Sequence, residues 1–343
     1  MTQAQASYGF WRAAGRRLWA DKLARVCMAI LALYFLIALG SAMELIAADW
    51  NQDKGVSYAN PSFLGKDHPN PQGQNSLAAQ EILPVDEKQK ALDPLAPYYA
   101  EIDELAKQYE QGEAKLSWTL PLGGDKWGRD ILDKVIKAGE VSITVGVAAA
   151  LLAVLIGTML GAIGGYFGGK LGDLLEWFYN IFTSVPYILL VLAFAAVFGK
   201  GITTVILVLG FTGWTGTYRL IRSEYIKQRG RDYVQAADAI GASDTRRMFV
   251  HILPNVSHLI LVQLSQLVVD FIKAEVILSF LGLGVPTDLV SWGIMINEVM
   301  PELVLGKWWQ LATVAVVMST FVVAFGLFTD LLRDALDPKA SRR

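Results

Sequence analysis

Three ionisable residues lie inside a long apolar run of the sequence, where such residues are rare. Asp270, Lys273 and Glu275 lie within residues 256–283. Ionisable groups in such surroundings are costly and usually face a cavity or one another. Asp270 and Lys273 are three residues apart and can pair on one helix face. Two interpretations stay open: the three residues form a cluster that lines a pathway and contacts a charged substrate, or the cluster contains an internally neutralised pair that stabilises a bundle.

The sequence contains few residues that could form a disulfide, a metal site or a catalytic site. The chain has one cysteine, Cys27, and three scattered histidines. It therefore cannot form an internal disulfide, and we expect no metal site. No Ser/His/Asp or paired-carboxylate arrangement has a recognisable catalytic context, so we predict no catalytic and no cofactor-binding residues. Residues 164–170 read G-x-x-x-x-G-K, but Leu171 replaces the Ser or Thr of a phosphate-binding loop. We expect no nucleotide site there.

The elements that position these residues follow from hydrophobicity. Hydrophobic residues make up 53% of the 343 residues and charged residues only 18%, below the quarter that is typical of soluble domains. A helix that crosses a bilayer needs about 20 mostly apolar residues. The stretches that qualify are 26–47, 141–167, 174–198, 202–221, 256–283 and 308–332. The sequence predicts an all-α membrane protein with six transmembrane helices, and a net charge of −2 gives no reason to expect nucleic acid as a partner.

The distribution of Lys and Arg predicts the orientation, because basic loops stay in the cytoplasm. The N-terminal tail 1–25, the loop 222–255 and the C-terminal tail 333–343 are rich in basic residues. We therefore expect both termini in the cytoplasm. The segment before residue 308 is acidic, and within it Asn297 and Glu298 could line the outer mouth of a pathway.

The remaining long segment, 48–140, is expected on the outer side. Up to residue 120 it is rich in Pro, Asn, Gln, Asp and Glu, and residues 98–111 have helical spacing. We interpret it as a small subdomain or ordered loop, with a floppy linker as the alternative. A short amphipathic helix, 132–137, is predicted to lead into the second span. The glycines of that span have GxxxG spacing, which indicates close helix packing, and Pro186 is expected only to kink the third span.

The cytoplasmic loop has a distinctive pattern at 231–255. Asp232 is predicted to cap a helix with Gln235 as its capping-box partner, and Gly241 to end that helix in a left-handed turn. Ser243 or Asp244 would cap a second short helix that stops at Pro254. Alanines keep the first helix slim enough to enter a groove on a partner. On physical grounds this interpretation and that of a plain connecting loop are equally favoured.

A resemblance decides between them. The loop is similar to the EAA loop of binding-protein-dependent ABC importers, and its match consists of 235–237, Gly241 and 252–254. More specifically, 233–254 resembles the C-type permease subunits of dipeptide and oligopeptide importers. Further motifs agree in order, at 121–130, 165–169, 279–285, 291–293 and 333–338. Three features depart from the pattern: Gln235 replaces the motif glutamate, Gly124 replaces a threonine, and 49–120 is unusually long.

The resemblance implies a type I (MetI-like) ABC importer permease fold with an extracytoplasmic insertion after the first helix, in a multi-pass protein of the bacterial inner membrane. The chain would not be an enzyme. It would form the pathway for di- or oligopeptides with a homologous B-type permease, and two cytoplasmic ATPase subunits would bind ATP and magnesium. An extracytoplasmic binding protein would deliver and select the substrate, and relatives on similar scaffolds carry nickel, antimicrobial peptides or glycosides.

Residues 233–242 would be the coupling helix that docks on an ATPase. The residues implied in coupling are Tyr233, Gln235, Ala236, Ala237, Asp238, Ala239, Gly241, Ala242, Ile252, Leu253 and Pro254. Two other function classes fit the composition less well. A secondary transporter or channel predicts inverted repeats, which the sequence does not show convincingly, and a membrane-embedded enzyme would need a catalytic constellation.

Overall fold

The computed structural model describes residues 3–65 and 116–336, with side chains from Arg12 onward. The predicted helical segment 98–111 and the end of the C-terminal tail, 337–343, lie outside the described residues. The chain divides into two compact units, one made of residues 49–132 and the other of residues 1–48 with 133–343. Each unit is described by itself.

Helices dominate the described residues. They are α1 Gln3–Ala20, α2 Lys22–Ala42, α3 Ile131–Phe167, α4 Gly169–Thr183, α5 Tyr187–Phe198, α6 Ile202–Thr212, α7 Thr215–Arg229, α8 Asp232–Ala239, α9 Asp244–Phe280, α10 Trp292–Val304 and α11 Trp309–Leu336. Helices suit a chain of this composition because all their backbone hydrogen bonds are internal, which an apolar solvent requires.

Among these, α2, α3, α9 and α11 are each long and apolar enough to cross a membrane, and a fifth span results if the bent pair α4 and α5 counts as one. Four of the six predicted stretches therefore correspond to single long helices, with ends that differ from the prediction. The prediction of a separate short helix at 132–137 is wrong, because these residues are the first part of α3, which runs without a break from residue 131.

The third predicted stretch is the largest departure. Instead of a kinked helix it forms α4 and α5, which meet at an angle of 82°. Pro186 has no N–H to donate and disfavours helical geometry in the residue before it. Two hydroxyls at the end of α4 donate to its carbonyls, Thr183 Oγ1 to Tyr179 O at 3.1 Å and Ser184 Oγ to Ile181 O at 2.7 Å. These bonds stabilise the bend.

The fourth predicted stretch is divided into α6 and α7 by Gly213 and Trp214. A Cβ atom on Gly213 would collide with the ring of Phe271 in α9, so the chain passes close to α9 at this point. Trp214 itself is buried and stacks on Phe178 of α4 with ring centres 5.6 Å apart. The break therefore accommodates two neighbouring helices.

A ridge of glycines brings α3 against α7. Cβ atoms added at Gly157, Gly161 and Gly165 would lie 2.7 Å from Trp214 O, 2.8 Å from Tyr218 O and 2.6 Å from Arg222 O, respectively. The GxxxG spacing thus serves backbone-to-backbone packing, as the sequence indicates. The nucleotide-loop-like residues 164–170 are the end of α3 and the start of α4, with Gly168 in a left-handed conformation between them.

The smaller unit contains a two-stranded parallel sheet of β1 Gly55–Pro61 and β2 Ser117–Leu120. The loop after β2 is closed by Asp125, whose carboxylate accepts hydrogen bonds from Trp127 N at 2.9 Å and Arg129 N at 3.0 Å. Gly128 has φ +80° and packs against the carbonyl of Gly55. The motif at 121–130 therefore has a structural role in this unit.

The glycine ridge gives a testable prediction. Gly165→Ala should destabilise the protein by about 1–3 kcal/mol, the usual cost of overpacking, because the new methyl group would meet the backbone of Arg222. Thermal unfolding of the purified protein in detergent measures the change. Gly326→Ala is the matched control, since a Cβ atom there meets nothing within 4 Å. An equal response of the two variants would contradict the close-contact role of Gly165.

Candidate functional site

The predicted coupling helix is α8, and its start differs from the prediction. Arg231 is the N-cap residue, with extended geometry at φ −81° and ψ 147°, so Asp232 is the first helical residue and not the cap. Gln235 Nε2 donates to Gly230 O at 3.4 Å, so no capping box forms with Asp232. The carboxylate of Asp232 still lies in the first turn, where it interacts favourably with the helix dipole.

The end of α8 is as predicted. Gly241 has φ +78°, a conformation that side chains with a Cβ atom rarely adopt. Gly241 N donates to Asp238 O at 2.8 Å and Ala242 N to Ala237 O at 3.0 Å. This pair of bonds is the Schellman motif, which satisfies the last carbonyls of a helix. The motif turns the chain sharply from α8 toward α9.

The second predicted helix begins as expected and ends differently. Ser243 caps it by accepting a hydrogen bond from Arg246 N at 3.4 Å. The helix does not stop at Pro254, because a π-helical turn, Arg247–Ile252, carries it into the rest of α9. The wider turn accommodates the missing N–H of the proline. Side chains take up two carbonyls of this turn: Asn255 Nδ2 donates to His251 O at 2.7 Å and Tyr225 Oη to Met248 O at 3.2 Å.

The inner face of α8 is anchored in a small apolar core. Val234 and Ala237 are buried. The core itself consists of Ala162, Tyr166, Ile221, Tyr225, Val234, Met248, Ile252 and Val256. It joins α3, α7, α8 and α9. Burial raises the pKa of Tyr233, and its hydroxyl donates to Gln228 Oε1 at 2.9 Å.

The predicted coupling residues divide between two faces. Ala237 and Ile252 are buried, and Tyr233, Ala242 and Leu253 are partly buried. The exposed ones are Gln235, Ala236, Asp238, Ala239, Gly241 and Pro254. The exposed surface of α8 is thus made mainly of small or polar groups.

Four further residues at this site, Ile240, Tyr166, Asp244 and Arg247, are not among the predicted coupling residues. Ile240 is 84% exposed at the end of α8, a position where an apolar side chain has no partner within the described residues of the chain. Helical periodicity could have indicated the exposure of Ile240, because this residue does not lie on the face of α8 that contains Val234 and Ala237. Tyr166, Asp244 and Arg247 form a hydrogen-bonded group next to α8, which no sequence signal predicts because Tyr166 comes from a distant segment.

The structure separates the charged residues of α9. Lys273 Nζ lies 3.2 Å from Asp270 Oδ1, and both side chains are about half exposed. Glu275 is fully buried elsewhere on the helix and accepts hydrogen bonds from Ser142 Oγ and Ser279 Oγ, each at 2.7 Å. Asp270 and Lys273 therefore form the predicted pair, whereas Glu275 does not belong to it.

Glu275 supports the segment that follows α9. Ser279 Oγ accepts a hydrogen bond from Val285 N at 3.1 Å, and Ser142 Oγ accepts one from Trp292 N at 3.2 Å. The carboxylate thus holds two serines that in turn hold the backbone on either side of residues 286–291. This arrangement satisfies a buried polar group that would otherwise be costly.

The two candidate residues on α10 also have defined partners. Glu298 Oε2 lies 2.6 Å from Lys134 Nζ, whose side chain is only 1% exposed. Asn297 is exposed and donates from Nδ2 to Phe280 O at 2.7 Å. Both contacts connect α10 to neighbouring helices.

Comparison with known proteins identifies relatives over most of the chain. A family profile described as "Binding-protein-dependent transport system inner membrane component" matches residues 153–342. The dipeptide transport system permease protein DppC of Bacillus subtilis is 37% identical over 220 residues, 64% of this chain and 69% of that protein. DppC of Lactococcus lactis subsp. cremoris is 32% identical over 342 residues, 98% of this chain and 93% of that protein.

Among oligopeptide transport system permeases, the OppC protein of Escherichia coli K12 is 37% identical over 217 residues, 63% of this chain and 72% of that protein. The region matched by the family profile includes α4 to α11, and therefore the whole of the site around α8.

The left-handed turn at Gly241 can be tested directly. Gly241→Val should lower stability by about 1–2 kcal/mol, the cost of left-handed geometry in a residue with a Cβ atom. Gly241→Asn is the matched comparison and should cost less, because asparagine tolerates this conformation. Thermal unfolding of the two purified variants measures the difference. Since no atom lies within 4 Å of the added Cβ, an equal loss in both variants would rule out backbone strain as the cause.

Proposed function

Since the chain belongs to the family of binding-protein-dependent transport system inner membrane components, we propose that it is one permease subunit of an ATP-driven peptide importer. Together with a homologous second permease it forms the pathway for di- or oligopeptides in the bacterial inner membrane. Two separate cytoplasmic ATPase subunits bind and hydrolyse ATP with magnesium, so the chain itself catalyses no reaction. An extracytoplasmic binding protein delivers the peptide.

The observation that carries this proposal is the two-sided character of α8. Its inner face is fixed to α3, α7 and α9 through the apolar core, so a displacement of α8 has to move those helices. Its outer face presents small residues, Ala236 and Ala239, which suits insertion into a groove of a partner. Ile240 then supplies an exposed apolar anchor of the kind that binding interfaces bury at their centre.

The substitution of Gln235 for the motif glutamate fits this picture. Gln235 is exposed and its amide donates to Gly230 O. The contact it makes to an ATPase would therefore be a neutral hydrogen bond in place of a charged one. In our proposal the apolar anchor and the small residues provide most of the docking surface.

The topology that we propose has six spans. Helices α2, α3, α9 and α11 each cross the membrane, α4 with α5 forms a fifth span, and α6 with the start of α7 forms the sixth. The tail 1–25, the loop 222–255 and the tail 333–343 are cytoplasmic, and 48–140 is an extracytoplasmic insertion. The positive charge of the cytoplasmic segments supports this orientation.

The proposed pathway residues are Asp270 and Lys273, because their side chains are exposed on α9 and not enclosed by the chain. A peptide carries one charge at each terminus, which an acid and a base on one face can bind in turn. Asn297 and Glu298 are placed by the proposal near the outer mouth. Glu275 contributes by holding the segment between α9 and α10, not by contacting the substrate.

Docking through Ile240 is testable by co-purification. Ile240→Asp should reduce the amount of ATPase that co-purifies with the permease pair by about tenfold or more, since a charge would have to be desolvated in the groove. Val304→Asp is the matched control, because Val304 is 87% exposed on α10, at the proposed outer side. Co-purification of ATPase with the Ile240 variant at the level of the control would contradict docking through this residue.

The pathway assignment is tested by transport. Asp270→Asn and Lys273→Met should each lower the uptake of a labelled dipeptide by about fivefold or more, a loss of roughly 1 kcal/mol that is typical of a weakened charged contact. Uptake is measured in proteoliposomes that contain the complete importer, after the amount of assembled complex has been matched to wild type. Wild-type uptake in both variants would show that the pair is structural.

A further inference from the structure

Four residues link α8 to two of the long helices. Tyr166 lies at the end of α3, Asp238 is in α8, and Asp244 and Arg247 are in the first turns of α9. We call these residues the Arg247 cluster. They line a cavity of about 220 Å³ on this side of the protein. The cluster borders the apolar core beneath α8, because the ring of Tyr166 belongs to that core while its hydroxyl joins the polar contacts of the cluster.

The contacts form a continuous chain. The Arg247 guanidinium donates from Nη1 to Asp238 Oδ1 and from Nη2 to Asp244 Oδ1, the latter at 2.5 Å. Tyr166 Oη donates to the same Asp244 oxygen at 2.8 Å. Charged hydrogen bonds are the strong ones, and the planar guanidinium fixes the direction of both of its bonds. Arg247 thus ties α8 to α9, and Asp244 ties α9 to α3.

The Arg247 cluster contributes little to the free energy of unfolding, but it fixes the orientation of α8 relative to α9. Asp238 and Asp244 are more than half exposed, and ion pairs with exposed partners have small net energies because water competes for both charges. The apolar core already holds the inner face of α8 in place. What the cluster adds is orientation, because the guanidinium bridges two elements whose connection, 240–243, contains the left-handed turn at Gly241.

We propose that Arg247 is a positioning residue that transmits the displacement of α8 to α3 and α9 together. This inference rests on the proposed function, in which α8 docks on an ATPase. A push on α8 moves Asp238, and Arg247 carries the movement to Asp244 at the start of α9. The Tyr166 hydroxyl then carries it to the end of α3. Without the cluster, α8 retains its docking surface but moves with less effect on the two spans.

The test measures peptide uptake per ATP hydrolysed. The complete importer, with both permeases, ATPases and binding protein, is placed in proteoliposomes, and the probe is a labelled dipeptide that the wild-type complex imports. Tyr166→Phe removes only the hydroxyl, and Arg247→Met removes the charge while keeping the apolar stem. Each should lower uptake per ATP roughly fivefold, in the range of residues that belong to coupling networks. ATPase should co-purify with both variants as with wild type.

Two further results are specific to a chain of contacts. The double variant should lose no more than either single variant, because both substitutions interrupt the same chain. Arg246→Met is the matched control: Arg246 is the neighbouring arginine, it is exposed, and its replacement should leave uptake per ATP at the wild-type value. A purely structural role of Arg247 would lower the amount of complex and not this ratio.

Wild-type uptake per ATP in the Arg247→Met complex would overturn the inference. If that variant does not assemble, Tyr166→Phe decides, and a wild-type ratio there overturns it equally. The proposed function fails separately, when the ATPases do not co-purify with the wild-type permease pair. Loss of ATPase from the Ile240→Asp variant together with normal coupling in Tyr166→Phe would leave the docking proposal intact and refute only the Arg247 cluster.

Discussion

The close backbone contact between α3 and α7 is the constraint on which the rest of the site depends. At Gly157, Gly161 and Gly165 the added Cβ atoms would come within 3 Å of atoms of α7, so no other residue permits the same approach. Lipid cannot drive helices together by the hydrophobic effect, and close packing of small residues replaces it. The contact fixes the end of α3 beside the end of α7, and α8 follows α7 after two residues.

Buried polar groups determine the other half of the architecture. Ser142 on α3, and Glu275 and Ser279 on α9, form one hydrogen-bonded group, and Lys134 with Glu298 joins α3 to α10. Each group would be unfavourable alone in apolar surroundings, and each is satisfied by a partner from another segment. Such bonds specify which helices are neighbours, whereas apolar contacts alone would allow many arrangements. The chain therefore combines glycine packing near one end of α3 with polar bonds nearer the other.

How far sequence reasoning succeeds depends on the range of the interactions. Run length and composition located the long helices, and local chemistry predicted the turn at Gly241 and the cap at Ser243, because these depend on residues close in the chain. Two predictions about prolines were wrong: Pro186 lies at an 82° bend and not at a mild kink, and the helix predicted to stop at Pro254 continues to Phe280. Whether a proline bends a helix or lies within it depends on the contacts around it, and beside Pro254 the side chains of Asn255 and Tyr225 donate to carbonyls of the π-helical turn. Tyr225 comes from another helix, and sequence alone does not reveal that contact.

At the candidate site, too, the features that depend on nearby residues were predictable from the sequence and those that depend on distant residues were not. The inner and outer faces of α8 follow from helical periodicity, but the partner of Asp238 on α9 does not. A single helix then unites both parts of the proposed mechanism. Arg247 and Asp270 are 23 residues apart in α9, which at 1.5 Å per residue is about 35 Å, more than the thickness of the hydrocarbon core. A rotation or shift imposed at the first turns therefore reaches the charged pair without any intervening joint other than the π-helical turn. That turn begins at Arg247 itself, whereas the second connection, from Asp244 through Tyr166 to α3, leaves α9 before the turn and so bypasses the least regular part of the helix.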